Sequence, residues 1–181
     1  MIKNNQFFIK KIRTVVILGY SNKFEELIKI VTDQNLKVFI ITSEDQAKKI
    51  KKNKSKIYIF NNIDTKFKKF ILKNMNVNET LFVSRFARYI FKKETLKNFF
   101  KDNLINFHDS RLPKDAGGGG YSWRIMREDR INSQIAHLID EGIDTGPIID
   151  YNFSLFPKNC QTPIELENFA DAEFLKFFKQ T

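Results

Sequence analysis

A chain of 181 residues that is 42% hydrophobic can form one domain burying roughly two-thirds of its unfolded surface, and a single domain over 1–181 is expected. No window approaches the ~18 apolar residues of a membrane span, the Met1–Lys11 segment is too charged for a signal peptide, and a lone Cys160 leaves no internal disulfide, so a cytoplasmic protein is expected. The net charge of +10 invites a polyanion partner, but lysine is scattered with Asn and Ile along the chain, in Lys48 to Lys56 and Lys66 to Lys69. That pattern reads as a solvated basic surface, with attraction toward a small phosphorylated substrate as the alternative and no nucleic-acid or membrane partner.

Arg13 to Gly19 is β-branched and almost wholly apolar, the pattern of a strand buried on both faces. Phe24, Leu27, Ile28 and Val31 follow at helical spacing, and Lys37 to Ser43 reads as a second strand. Ser43 or Glu44 starts a helix carrying Gln46 to Lys52, Lys56 to Phe60 is a short third strand, Asp64 to Met75 a helix, and Thr80 to Ser84 a fourth strand. A helix near Glu94 to Phe100 leads to the strand Leu104 to Phe107. This alternation predicts an α/β protein, an open, mostly parallel Rossmann-like sheet with helices on both faces. The turn after the first strand, Leu18-Gly19-Tyr20-Ser21, lacks Gly-x-Gly-x-x-Gly and therefore a dinucleotide fingerprint. Beyond Pro113, four glycines, Gly117 to Gly120, precede a helix near Ser122, and Thr162-Pro163 caps a final amphipathic helix.

Asn106 and His108 lie two apart at the end of an apolar strand, so both side chains face one way and Phe107 the other. Carboxyl ends of strands are where open α/β sheets bind ligands. About thirty residues on, His137 to Ile148 supplies Asp144 within Gly142-Ile143-Asp144-Thr145-Gly146-Pro147-Ile148. The two segments together offer an amide donor, an imidazole and a carboxylate that can converge on one carbonyl carbon. His137 is assigned a structural hydrogen-bonding role.

The paired motifs, Asn-x-His-x-Ser-x-Leu-Pro at 106–113 and Gly-x-Asp-Thr-Gly-Pro-Ile at 142–148, resemble those of enzymes that take a formyl group from 10-formyltetrahydrofolate. The resemblance is strong over roughly residues 80 to 150. It implies Asn106, His108 and Asp144 as catalytic residues: Asn106 as an amide donor to the oxyanion of a tetrahedral intermediate, His108, if charged, as a stronger donor that then protonates the departing nitrogen, and Asp144 as the carboxylate that raises the His108 pKa or accepts the amine's proton through a water, with the first proton acceptor left open. It implies a pteridine pocket built from Phe86, Ala87, Arg88, Tyr89 and Ile90 on one side and Asp140, Glu141, Gly142 and Ile143 on the other. Ser110, Lys114, Gly117, Gly118 and Trp123 would contact the acceptor, and Lys114, Arg124 and Arg127 are candidates for a diphosphate. Many relatives read Leu-Pro-Lys-Tyr-Arg-Gly where this chain reads Leu112-Pro113-Lys114-Asp115-Ala116-Gly117, and the missing Arg bears on the acceptor side.

Relatives that formylate glycinamide ribonucleotide carry a Gly-rich phosphate loop after the first strand, those acting on initiator methionyl-tRNA carry a carboxyl-terminal β-barrel, and hydrolases carry an amino-terminal regulatory domain. By resemblance the remaining acceptor is a nucleotide-linked amino sugar, such as dTDP-4-amino-4,6-dideoxyglucose destined for bacterial O-antigen. A fragment of a methionyl-tRNA formyltransferase, a non-catalytic basic binding module with the same core, and a homodimer all stay open.

Overall fold

The computed structural model describes residues 11–50, 57–101 and 103–181. Lys51 and Lys52 of the expected second helix, Lys56 of the expected third strand and Met1–Lys10 lie outside the described residues. Seven strands form one sheet in the order β3-β2-β1-β4-β5-β6-β7. Strands β1 (Thr14–Gly19), β2 (Lys37–Thr42), β3 (Ile57–Ile59), β4 (Thr80–Arg85) and β5 (Leu104–His108) run parallel. Strands β6 (Ile131–Leu138) and β7 (Ile148–Leu155) continue the sheet antiparallel. The expected open, mostly parallel sheet is therefore the observed one, extended by an antiparallel pair that the sequence reading did not assign. β7 carries polar residues at alternate positions, Asp150, Asn152 and Ser154, and β6 buries several polar residues, Asn132, Ser133, Gln134 and His137, where a sequence pattern shows no apolar run.

Each layer follows from its side chains. All six residues of β1 are buried, as expected for a central strand. Helix α1 (Phe24–Asp33) turns Phe24, Leu27, Ile28 and Val31 onto one face of the sheet, where α6 (Pro163–Gln180) adds Phe174 and Phe177. Thr162 and Glu165 satisfy each other's backbone N–H groups in a capping box, and Pro163 takes the first helical position, which fixes where α6 begins. On the opposite face, α3 (Thr65–Asn74), capped by the Asp64 carboxylate on the Phe67 N–H at 2.9 Å, packs Phe67 and Ile71 against Val16, Leu18 and Phe82. The segment expected as a helix at 94–100 is a single turn, α4 (Lys93–Thr95), followed by a wider turn over Leu96–Phe100 that buries Leu96 and Phe100. The second expected helix is also brief, α2 (Glu44–Ala47).

β5 divides its two faces as the alternation requires. Phe107 packs edge-on against Phe174 and Phe177 at ring separations of 5.3 and 5.8 Å, while Asn106 and His108 emerge half-buried on the other side. The strand is thereby anchored to α6 by one face and free for chemistry on the other. Gly19 ends β1 with φ of 110°, and a Cβ there would sit 2.1 Å from the Arg85 carbonyl, which accepts the Tyr20 N–H. Truncating Phe107→Ala removes the ring that holds β5 to α6, and chemical denaturation should show a loss of about 3–5 kcal/mol.

Candidate active site

The carboxyl ends of β4 and β5 flank a cavity of about 610 Å³ beside the point where the sheet's winding reverses between β1 and β4. Asn106, His108, His137 and Asp144 meet in it. The antiparallel register sets Asn106 opposite His137, so the two side chains share a face. The chain then leaves β6, passes through 139–147 and closes on itself by the Leu138 N–H to the Pro147 carbonyl at 2.9 Å. Asp140 organises this loop, accepting the Gly142 N–H at 3.0 Å and the Thr145 hydroxyl at 2.6 Å. Helix α5 (Gly120–Met126) and the glycines before it form the other wall.

Asp144 is the meeting point. Its Oδ2 lies 3.6 Å from His108 Nδ1 and accepts the Gly117 N–H at 2.9 Å; its Oδ1 lies 3.6 Å from His137 Nε2 and accepts from Asn106 Nδ2 at 3.3 Å. His137 Nδ1 donates to the Leu138 carbonyl at 2.7 Å, and Nε2 accepts from the Asn106 amide at 3.0 Å. This network orients the Asn106 amide, and His137 stands in it as a buried hydrogen-bonding side chain in the cavity lining.

The electrostatics correct one expectation. Asp144 does favour the charged form of His108, together with Asp109 and the Asp115 carbonyl, but burial outweighs them and the His108 pKa falls below its ordinary 6.5. The balance favours the neutral imidazole. The Asp144 carboxyl is held down to about 2 by His137, by the positive charge available on His108 and by the Gly117 N–H, against the opposing effect of its own burial.

The cavity is lined by Phe86, Ala87, Tyr89 and Ile90 from the segment after β4 and by Asp140, Glu141, Gly142 and Ile143 from the loop after β6. Arg88 is turned away and paired with Asp45. Of the expected acceptor contacts, Ser110, Gly117 and Gly118 line the cavity; Lys114 is exposed outside it and Trp123, 58% exposed, does not reach it. Arg124 is wholly buried and Arg127 is bound to the Asp115 carboxylate at 3.0 Å, so no lysine or arginine lines the cavity among the described residues. The sequence reading passed over Arg85, Asp109 and Tyr121, which are joined by hydrogen bonds at the cavity, Asp109 and Tyr121 in its lining and Arg85 wholly buried beside them. Asp109 stands inside the quoted motif and Arg85 directly before Phe86; what marks them is burial, which sequence spacing does not display.

No protein-family model matches the chain. The methionyl-tRNA formyltransferase of Thermodesulfovibrio yellowstonii is 35% identical over 80 residues, 44% of this chain and 26% of the relative. The chain spans about a quarter of the length of the first curated relatives it matches. Among solved structures, an N-formyltransferase from Helicobacter canadensis in complex with folinic acid and dTDP-3-aminofucose superposes with a TM-score of 0.71 at 21% identity, covering 93% of this chain and 62% of that one. Phosphoribosylglycinamide formyltransferase from Bacillus halodurans superposes at 0.64 and 19% identity over 92% and 91% of the two chains. The fold of this chain is the α/β fold these formyltransferases share.

The depressed Asp144 pKa has a defined stability consequence. A carboxyl whose folded pKa lies below the unfolded value stabilises the fold above 3.8, and that contribution fades as the pH falls toward about 2. Removing the carboxylate by Asp144→Asn should therefore shrink the acid sensitivity of folding in that window, measured by denaturation at stepped pH against the parent chain.

Proposed function

We propose that this chain transfers a formyl group from 10-formyltetrahydrofolate to a primary amine, and that the amine belongs to a nucleotide-linked amino sugar. The observation carrying this reading is the convergence of Asn106, His108 and Asp144, from two separated segments, within one cavity between an apolar wall and a glycine-rich wall.

The folate fits the residues present: Phe86, Tyr89 and Ile143 offer flat apolar contact, and the 139–143 backbone offers polar groups for a pteridine edge. When bound, it supplies the activated formyl carbon. Asn106 Nδ2 donates toward the formyl oxygen, where an amide donor aimed at developing negative charge is commonly worth about 3–4 kcal/mol. Neutral His108 accepts the proton of the attacking amine and returns it to the departing nitrogen, and Asp144 stabilises the imidazolium between those two events. The apolar segment after β4 excludes water that would otherwise compete with the amine. With no cationic side chain in the lining among the described residues, a diphosphate on the acceptor would rely on the backbone N–H groups of 118–120 and on the Ser110 and Ser122 hydroxyls.

Two structural neighbours support the sugar reading, since the Helicobacter canadensis protein was solved with dTDP-3-aminofucose and another is described as a sugar 3N-formyl transferase with dTDP. A second reading, methionyl-tRNA as acceptor, is favoured by the curated relatives, which are methionyl-tRNA formyltransferases over the segment they share with this chain. Incubation with 10-formyltetrahydrofolate and dTDP-4-amino-4,6-dideoxyglucose or its 3-amino isomer should give a product heavier by one formyl group in mass spectrometry. His108→Ala should abolish it, and Asn106→Ala should cost about 10²–10³ in kcat. Turnover with methionyl-tRNA and none with any amino sugar nucleotide selects the second reading; turnover with neither removes both.

A further inference from the structure

Two of the largest wholly buried side chains in the molecule are cations, Arg85 at the end of β4 and Arg124 in α5. Burying a guanidinium costs several kcal/mol unless opposite charge and hydrogen bonds compensate it. Both converge on Asp109, the residue after His108. Arg85 forks onto its carboxylate, Nη1 to Oδ1 at 2.7 Å and Nη2 to Oδ2 at 2.9 Å, while the Tyr121 hydroxyl donates to the same Oδ2 at 2.6 Å. Arg124 Nη2 grips the other end of the residue, donating to the Asp109 main-chain carbonyl at 2.5 Å and to Ser133 Oγ at 3.3 Å. Arg85 Nη2 also meets Asp171 Oδ1 of α6 at 2.5 Å, so both buried carboxylates fall to Arg85, while Arg124 holds main-chain and hydroxyl oxygens and keeps Nε and Nη1 without a hydrogen-bond partner. The Arg85 guanidinium further lies 3.8 Å from the Phe174 ring centre and 4.5 Å from that of Phe86.

A side chain serving only to dock α6 would need one such contact. Asp109 is instead pinned by carboxylate and carbonyl together, which immobilises the peptide immediately after His108. Its partners also belong to the two walls of the cavity: Arg85 precedes Phe86 on the apolar wall, and Tyr121 lies on the glycine-rich wall.

We propose that Asp109 is the positioning residue of this site, holding His108 opposite Asp144 and locking the two cavity walls to one carboxylate. The effect on rate rests on the formyl-transfer reading; the effect on His108 does not. The groups facing His108 are Asp144 from the loop after β6, His137 on β6, Asp109 directly after it in the chain and the Asp115 carbonyl from the following turn. Asp144 and Asp109 favour its charged form and His137 opposes it, so loss of the Asp109 charge lowers the His108 titration midpoint.

The experiment compares Asp109→Asn, Tyr121→Phe and Asp171→Asn by two readouts, the His108 ring titration in the ¹⁵N-histidine-labelled free protein and steady-state kinetics. Asp109→Asn is expected to lower the His108 midpoint and to reduce kcat roughly 10- to 100-fold while changing either KM far less. Asp171→Asn strips the same Arg85 of its other carboxylate. It is expected to lower thermal stability comparably yet leave the His108 midpoint and kcat near those of the parent. Equal losses in the two Asn variants, or an Asp109→Asn chain unchanged in both readouts, overturn the proposal. Should Asp109→Asn fail to fold, Tyr121→Phe decides: a fall in kcat at parental thermal stability supports the role, and parental kcat overturns it. If the parent chain formylates no acceptor, the functional reading fails, and the His108 midpoint still decides the role of Asp109.

Discussion

Antiparallel pairing of β6 with β5 sets Asn106 opposite His137 and His108 opposite Ile135, and the rest of the cleft follows from that register. A slip of one residue would send His137 to the face occupied by α6 and leave the Asn106 amide without the acceptor that orients it. The register also fixes where the chain turns back. Leu138 ends the strand, its N–H closes the loop on Pro147, and Gly146 passes so near that a Cβ there would lie 1.8 Å from the Leu138 carbonyl. Within that closed loop Asp144 adopts a left-handed conformation, φ 53°, a placement costing on the order of 1–3 kcal/mol that its four polar neighbours hold in place.

Charge acts in two separate ways here. The net +10 belongs to the surface, where lysines such as Lys93 beside Glu141 at 2.6 Å are solvated and such pairs contribute about 0–1 kcal/mol. A few buried charges do the structural ordering. Asp109 and Asp171 keep Arg85 protonated despite the burial that opposes its charge, and the three together tie β4, the end of β5 and α6. Apolar side chains of equal volume could pack that space as stably, but they would not specify one arrangement of the strand ends.

The two walls of the cavity differ in kind. One presents side chains, Phe86, Tyr89, Ile90 and Ile143, suited to a flat apolar ligand. The other presents backbone, 117–120, and its Gly117 N–H is already bonded to Asp144. A ligand on the glycine side consequently communicates with the same carboxylate that faces His108. The arginines near that wall are spent on internal partners, Arg124 on Asp109 and Ser133, Arg127 on Asp115, Arg111 on Asp115 and Asp129.

What the sequence determined by itself was whatever local periodicity encodes. The apolar run of β1, the helical spacing of Phe24 to Val31, the Thr162-Pro163 start of α6 and the opposed faces of Asn106 and Phe107 were legible because each follows from backbone geometry over a few residues. The motif residues Asn106, His108 and Asp144 were legible as a set because their spacing resembled a known pattern. Tertiary structure alone decided that β6 and β7 join the sheet, since β6 buries polar groups whose partners lie in other elements, among them Gln134 with the Ala170 carbonyl and Ser133 with Arg124. It also decided the direction in which the His108 pKa moves, downward, because burial is a property of the assembled cleft and outweighs the nearby carboxylate. The same reason hid Arg85 and Asp109: a charged residue reads as surface until the fold closes over it with its counter-ion.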